Sequence, residues 1–85
     1  MKEYIATFHT HLSALMTSRS LTGLGIQARM MPVPRKLSSS CGTCVRFIYE
    51  GDIQEYAQNM EQDDLDTVYL VENDEYLPQY HAKAE

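Results

Sequence analysis

The pattern of apolar and polar positions predicts four β-strands, at residues 4–9, 26–31, 45–49 and 67–71, of which the second and third alternate regularly. These segments are rich in β-branched and aromatic residues, which favour pleated structure. In the third strand the alternation places three side chains on one face, namely Val45, Phe47 and Tyr49. Pro32 and Pro34 follow the second strand and are expected to end it, because proline lacks the N–H that a strand ladder needs.

Two helices are predicted between these strands, and the second has the clearer pattern. Asp52 is a good N-cap and Glu55 follows it three residues later, as in a capping box. The core-facing stripe has helical spacing and consists of Ile53, Tyr56, Ala57 and Met60. We interpret this stripe as core packing and not as a binding site.

The first helix is predicted to begin at Thr10 or His11 and has a less regular pattern. Its apolar patch consists of Leu12, Leu15 and Met16. Leu21 lies on roughly the opposite side, so the helix is expected either to be buried over a wide arc or to end near Gly23. Gly25 stands where a left-handed C-terminal cap is expected.

The order β-α-β-β-α-β predicts an α+β fold: a two-layer, ferredoxin-like α/β sandwich with a four-stranded antiparallel sheet. Residues 1–72 are expected to form this single domain. Residues 73–85 form an acidic, polar C-terminal tail, expected to be weakly ordered unless it docks on an edge strand or a partner. If the third strand lies between the first two, the end of strand 1, the start of helix 1 and the loop between strands 2 and 3 meet at one sheet edge.

The charges are divided unevenly along the 85 residues, whose net charge is −5. Residues 4–49 contain basic residues and no acid, whereas all acids except Glu3 lie from Glu50 onward. The two halves either complement each other in the folded domain or create an electropositive site for a small anion. The basic residues lack the interleaved aromatic stripes of nucleic-acid binders, so no nucleic-acid partner is expected.

Length and apolar runs limit the classes of function. A chain of 85 residues is too short to enclose a deep substrate cavity by itself. Its apolar runs are far shorter than a membrane span, and its N-terminus has no signal-peptide pattern, so we expect a cytoplasmic protein without a membrane partner. The five methionines and six tyrosines could serve a homodimer interface, although core packing would explain most of them.

The candidate chemistry lies in the loop between strands 2 and 3, where Cys41 and Cys44 follow two cations and three serines. Positive charge favours the thiolate, which is the nucleophilic form of cysteine. The candidate catalytic residues are therefore Cys41 and Cys44. The candidate binding residues are Arg35, Lys36, Ser39, Ser40, Gly42 and Arg46.

Other chemistry remains open for the same loop. A Cys-x-x-Cys pair can close a disulfide, but Cys44 runs into a strand, unlike the helix-starting motif of thioredoxins. Cys44 could instead resolve a persulfide on Cys41. A zinc site would need His9 and His11 as further ligands, and their spacing is unlike that of usual ligand pairs. We therefore predict no metal and no cofactor. The alternative that the loop is only a polar connection between two strands stays open.

The stretch from Pro34-Arg35 through Ser39-Ser40-Cys41-Gly42 to Arg46-Phe47 resembles a small bacterial family of selenium/sulfur carrier-like domains. The resemblance covers roughly residues 3–72. It implies a carrier thiol at Cys41 that takes part in sulfur transfer or selenium metabolism. Cys44 and the paired histidines are not part of the family pattern.

The leading hypothesis is a carrier or accessory protein, not a self-sufficient enzyme, with a persulfide or selenopersulfide on Cys41. Arg35, Lys36 and the loop amides would stabilise its negative charge, and sulfur or selenium donor and acceptor proteins would be its partners. The alternative is a ferredoxin-like interaction or redox-regulatory module without carrier chemistry. No carboxylate pair, nucleophile and base, or phosphate loop of familiar spacing indicates an ordinary enzyme.

Overall fold

A five-stranded antiparallel sheet and two helices make up the protein. The structure is a computed structural model that describes residues 1–37, 41–60 and 64–82. Its elements are β1 (Glu3–Phe8), α1 (His11–Gly23), β2 (Ala28–Pro32), β3 (Thr43–Ile48), α2 (Ile53–Met60), β4 (Leu65–Glu72) and β5 (Glu75–His81). The strand order is β2-β3-β1-β4-β5. The α+β class and the place of β3 between β1 and β2 are confirmed.

The predicted count of four strands was wrong, because the tail contributes a fifth. Strand β5 pairs with β4 in antiparallel register, with Val71 opposite Tyr76. The two strands are joined at Asn73 and Asp74, whose φ angles are 52° and 64°. Asn and Asp tolerate this left-handed region, which tight hairpin turns require. The tail therefore docks on the edge strand β4, the condition under which we expected it to be ordered.

The face of helix α1 that packs against the sheet is not the one that its apolar pattern predicts. Its buried residues are Ala14, Thr17 and Leu21. Leu12 and Met16, two members of the predicted apolar patch, are instead 64% and 56% exposed. Residues 14, 17 and 21 have helical spacing and share one face of the helix. Because two of them are alanine and threonine, this face does not stand out as apolar in the sequence.

The helix ends are capped as the sequence predicts. Thr10 accepts a hydrogen bond from the Ser13 amide at 3.1 Å, and Asp52 accepts one from the Gln54 amide at 3.0 Å. At the end of α1, Gly25 has a φ of 83°, and the amide of Ile26 donates to the Leu21 carbonyl. This is the Schellman arrangement, which stops the helix and directs the chain into β2.

Both helices cover the same sheet face and form the core there. The core cluster includes Tyr4, Ala6 and Phe8 of β1 and both Val45 and Phe47 of β3. The rings of Tyr4 and Phe47 stack with a centroid distance of 5.6 Å. The predicted alternation in β3 is thus confirmed. Neither helix within the described ranges is long and apolar enough to cross a membrane.

Candidate thiol site at the end of strand β1

Cys41 lies in the β2–β3 connection, against the carboxyl end of β1. Its Sγ donates to the carbonyl oxygen of Phe8 at 3.3 Å and to that of Thr43 at 3.4 Å. The Phe8 carbonyl terminates β1, and Thr43 begins β3. The end of β1 and the β2–β3 loop therefore meet at one sheet edge, as the topology predicted. Cys41 is a free, partly exposed cysteine at this edge.

The surroundings of the Cys41 sulfur are those of a resting thiol. Carbonyl oxygens only accept hydrogen bonds, so the sulfur must be the donor in both contacts, and the S–H is shared between Phe8 and Thr43. A thiolate has no proton to donate, and its charge would repel both oxygens. The thiol must therefore leave this position, or the carbonyls must turn, before Cys41 acts as a nucleophile.

Gly42 shapes the connection immediately after Cys41. Its φ is 74°, in the region that side chains with a Cβ rarely adopt. Its carbonyl accepts a hydrogen bond from the Val33 amide at 3.0 Å, which continues the β2–β3 pairing beyond Pro32. The glycine thus turns the chain so that Cys41 projects toward the end of β1.

Replacing Gly42 by alanine is expected to lower the free energy of unfolding by about 1–2 kcal/mol. The cause is backbone strain alone, since no atom lies within 4 Å of the position that a Cβ would take. Urea denaturation would measure the loss. Gly23→Ala is the matched control: Gly23 is equally open but has no positive φ, so a similar loss there would contradict this account.

Cys44 is completely buried in strand β3, where Thr7 of β1 and Met31 of β2 are its strand neighbours. Burial raises the pKa of its thiol to about 11, an effect that the nearby Arg46 partly opposes. Its sulfur makes a weak contact with the Pro32 carbonyl at 3.8 Å. At neutral pH Cys44 is thus an uncharged and fully buried thiol, whereas Cys41 is partly exposed.

The two histidines at the start of α1 differ in position. The His11 Nδ1 lies 3.2 Å from the Thr43 hydroxyl, so this imidazole approaches the cysteine loop as the topology predicted. His9 is exposed, and its amide donates to the Asp64 carbonyl. Across the described ranges, no three His, Cys, Asp or Glu side chains are grouped to hold a metal ion. The zinc hypothesis, whose four residues are all described, therefore gains no geometric support.

Two of the predicted cations bind elsewhere than at Cys41. The Lys36 ammonium donates to the Asp74 carbonyl in the β4–β5 turn at 3.1 Å. Arg46 forms a bidentate ion pair with Glu3, including an Nη2 to Oε1 contact of 2.7 Å, and this pair lowers the pKa of Glu3. Arg35 is exposed. Ser39 and Ser40, the other predicted binding residues, lie outside the described ranges.

The contact of Lys36 shows how the cysteine loop runs over the sheet. Because β4 is antiparallel to β1, its turn with β5 lies at the far end of the sheet from Phe8. Residues 33–37 therefore reach across the face opposite the helices. Ile5 and Thr7 point to that face and are nevertheless 0% exposed. We infer that residues 33–37 contribute to covering this face.

Sequence analysis missed the two residues that contact the thiol most closely, Phe8 and Thr43. Both act through backbone carbonyls, which every residue has, so residue type gives no signal for them. Only the topological argument that the end of β1 meets the cysteine loop could have indicated their place. Lys36 was found for its charge, but its partner in the tail could not be found because the fifth strand was not predicted.

A family model described as "Putative Se/S carrier protein-like" matches residues 3–72. The chain belongs to this family. The match runs from the start of β1 to the end of β4 and includes the whole cysteine loop. Strand β5 lies beyond it. The matched region therefore comprises the first four strands, and the fifth strand of the same sheet is built from the residues that follow.

Among curated proteins, the chain is similar to the uncharacterized protein YtiA of Escherichia coli (strain K12). The two are 33% identical over 45 residues, which is 53% of each chain. The matched part thus spans about half the length of this relative. No solved structure matches the chain.

Proposed function

We propose that the protein carries sulfur or selenium on Cys41, as a persulfide or selenopersulfide. The observation that carries the proposal is the contrast between its two thiols. Cys41 is partly exposed and attached to a positive-φ glycine, whereas Cys44 is fully buried with a pKa raised to about 11. Membership in the Se/S carrier-like family supports the same assignment.

The chemistry requires only the thiol and a donor of sulfane sulfur. The Cys41 sulfur attacks the terminal sulfur of a donor persulfide, R–S–SH, and forms a new S–S bond. The donor S–S bond breaks, and R–SH leaves with the bonding electron pair and a proton. A selenium atom would be transferred from R–S–SeH in the same way. No external oxidant is needed, and an acceptor thiol reverses the step.

The protein contributes position and protection to this step. The S–H contacts with Phe8 and Thr43 hold an unloaded Cys41 at the sheet edge, and the glycine that follows gives the loop freedom to reorient. Cys44 remains protonated nearby and competes little for the donor. Arg35 is an exposed cation of the loop that would face a loaded, negatively charged sulfur after such a movement.

Loading with sodium disulfide under anaerobic conditions tests the proposal. The wild-type protein is expected to gain the mass of one sulfur atom by intact-mass spectrometry, and dithiothreitol should remove it. Cys41→Ser should abolish the gain, because the only exposed thiol is lost. Cys44→Ser is the matched control and should load like the wild type, with circular dichroism confirming that both variants are folded.

Other outcomes would overturn the carrier assignment. If Cys41→Ser loaded as much sulfur as the wild type, Cys41 would not be the residue that carries it. Loss of two hydrogens without sulfur gain would indicate a Cys41–Cys44 disulfide and favour a redox-regulatory module. Two unmodified thiols after exposure to the donor would favour an interaction module in which the cysteines carry nothing.

A further inference from the structure

A cleft of about 650 Å³ lies at the opposite end of the sheet from Cys41. It is bounded by the end of α1, the start of β2 and the end of β3, whereas the thiol lies at the start of β3. Small-molecule sites commonly have volumes of about 300–1,000 Å³, so this cleft is large enough for a ligand. No role in thiol chemistry explains it.

The cleft has an apolar wall and a charged wall. The apolar lining residues are Ile26, Ala28, Phe47 and Ile48, of which Phe47 is only 1% exposed. The charged side is formed by Glu3, Arg29 and Arg46. Such a combination, with a few charged groups beside an apolar surface, is typical of sites that fix one end of a small organic ligand.

The two arginines stand directly opposite each other in the pairing of β2 with β3. Like charges at such positions destabilise a sheet, because their side chains extend from the same face close together. Glu3 compensates one of them through its bidentate pair with Arg46. Arg29 is exposed, adds to the lowering of the Glu3 pKa and makes no ion pair within the described ranges. One carboxylate between two guanidinium groups leaves a net charge of +1 on this wall.

We propose that this cleft is a second binding site, for a small anionic ligand with an apolar body, such as an aryl or acyl carboxylate or sulfonate. The anionic group would bind Arg29 through charge-assisted hydrogen bonds, which a guanidinium offers in a planar fork. The apolar body would lie against Ile26 and Ile48, which are half-buried lining residues. The ligand would thus complete the charge compensation that Glu3 begins.

Titration with anilinonaphthalene sulfonate, followed by fluorescence and by two-dimensional amide NMR, tests this site on the full chain. Binding is expected to shift the amide signals of Ala28, Phe47 and Ile48. Arg29→Gln is expected to raise the dissociation constant about tenfold, since a hydrogen bond to a charged group is lost. Cys41→Ser should bind like the wild type, so the result is independent of sulfur loading.

Arg35→Gln is the matched control, because it removes an equally exposed guanidinium outside the cleft. It should leave the dissociation constant unchanged. Phenylnaphthylamine, which has the same apolar body without the sulfonate, should bind more weakly than the anion. The proposal is overturned if Arg29→Gln binds the probe as tightly as the wild type, if both arginine variants lose affinity equally, or if the shifted amides lie on the exposed side of α1.

Discussion

Raising the pH from 9 to 11 is expected to cost the protein about 2 kcal/mol of folding free energy through Cys44 alone. The pKa of this thiol rises from 9.0 to about 11 on folding, because burial penalises the charged thiolate. The folded state therefore holds the proton more tightly than the unfolded state. The contribution is complete below pH 9 and is lost progressively as the pH rises through 11.

Denaturation of wild type and Cys44→Ala across this range would measure the effect. Tyr4 and Tyr56 also have pKa values raised by burial, but they are present in both proteins and cancel in the difference. The difference in unfolding free energy should shrink steadily above pH 9. If the two curves stay parallel up to pH 11, Cys44 is not held as a buried neutral thiol, and the contrast with Cys41 fails.

Replacing Phe47 by alanine is expected to destabilise the protein by about 3–5 kcal/mol. Phe47 is 1% exposed, stacks on Tyr4 and belongs to the core cluster beneath both helices. Its removal takes away apolar contacts and leaves a cavity that the sheet cannot close. Urea denaturation would measure the loss, and the slope of the unfolding free energy against urea concentration, the m-value, should not change.

Leu12→Ala is the control for this second experiment, since it deletes a large apolar side chain that is 64% exposed. It should change the stability by less than about 0.5 kcal/mol. A loss at Leu12 comparable to that at Phe47 would mean that α1 turns its apolar patch inward, as its sequence pattern suggested and the structure contradicts.

The sequence was most informative where each residue had one strong preference. The alternation in β3, the cap at Asp52 and the left-handed glycine at Gly25 predicted local structure that the fold confirms. The order of those elements predicted the topology of the sheet. The topology in turn predicted that the cysteine loop lies at the end of β1, where Cys41 contacts Phe8. The position of Cys41 in the fold could therefore be predicted from the order of the elements.

Prediction failed where tertiary contacts overrode local pattern. Helix α1 buries Ala14 and Thr17, whose side chains are small enough to lie close to the sheet, and exposes larger apolar residues. The contact of the Lys36 side chain with the Asp74 carbonyl was likewise not predicted, because the fifth strand was not. Both outcomes depend on distances between segments remote in sequence, which composition and spacing do not encode.

Strand β5, which follows the family-matched region, affects the tendency of the protein to aggregate. Without β5, the apolar and β-branched stretch of β4 would be an open edge, able to recruit strands from other molecules into insoluble assemblies. The edge that β5 presents instead contains Pro78, which interrupts a continuous row of amide donors. We therefore expect a chain shortened at residue 72 to aggregate more readily than the full chain.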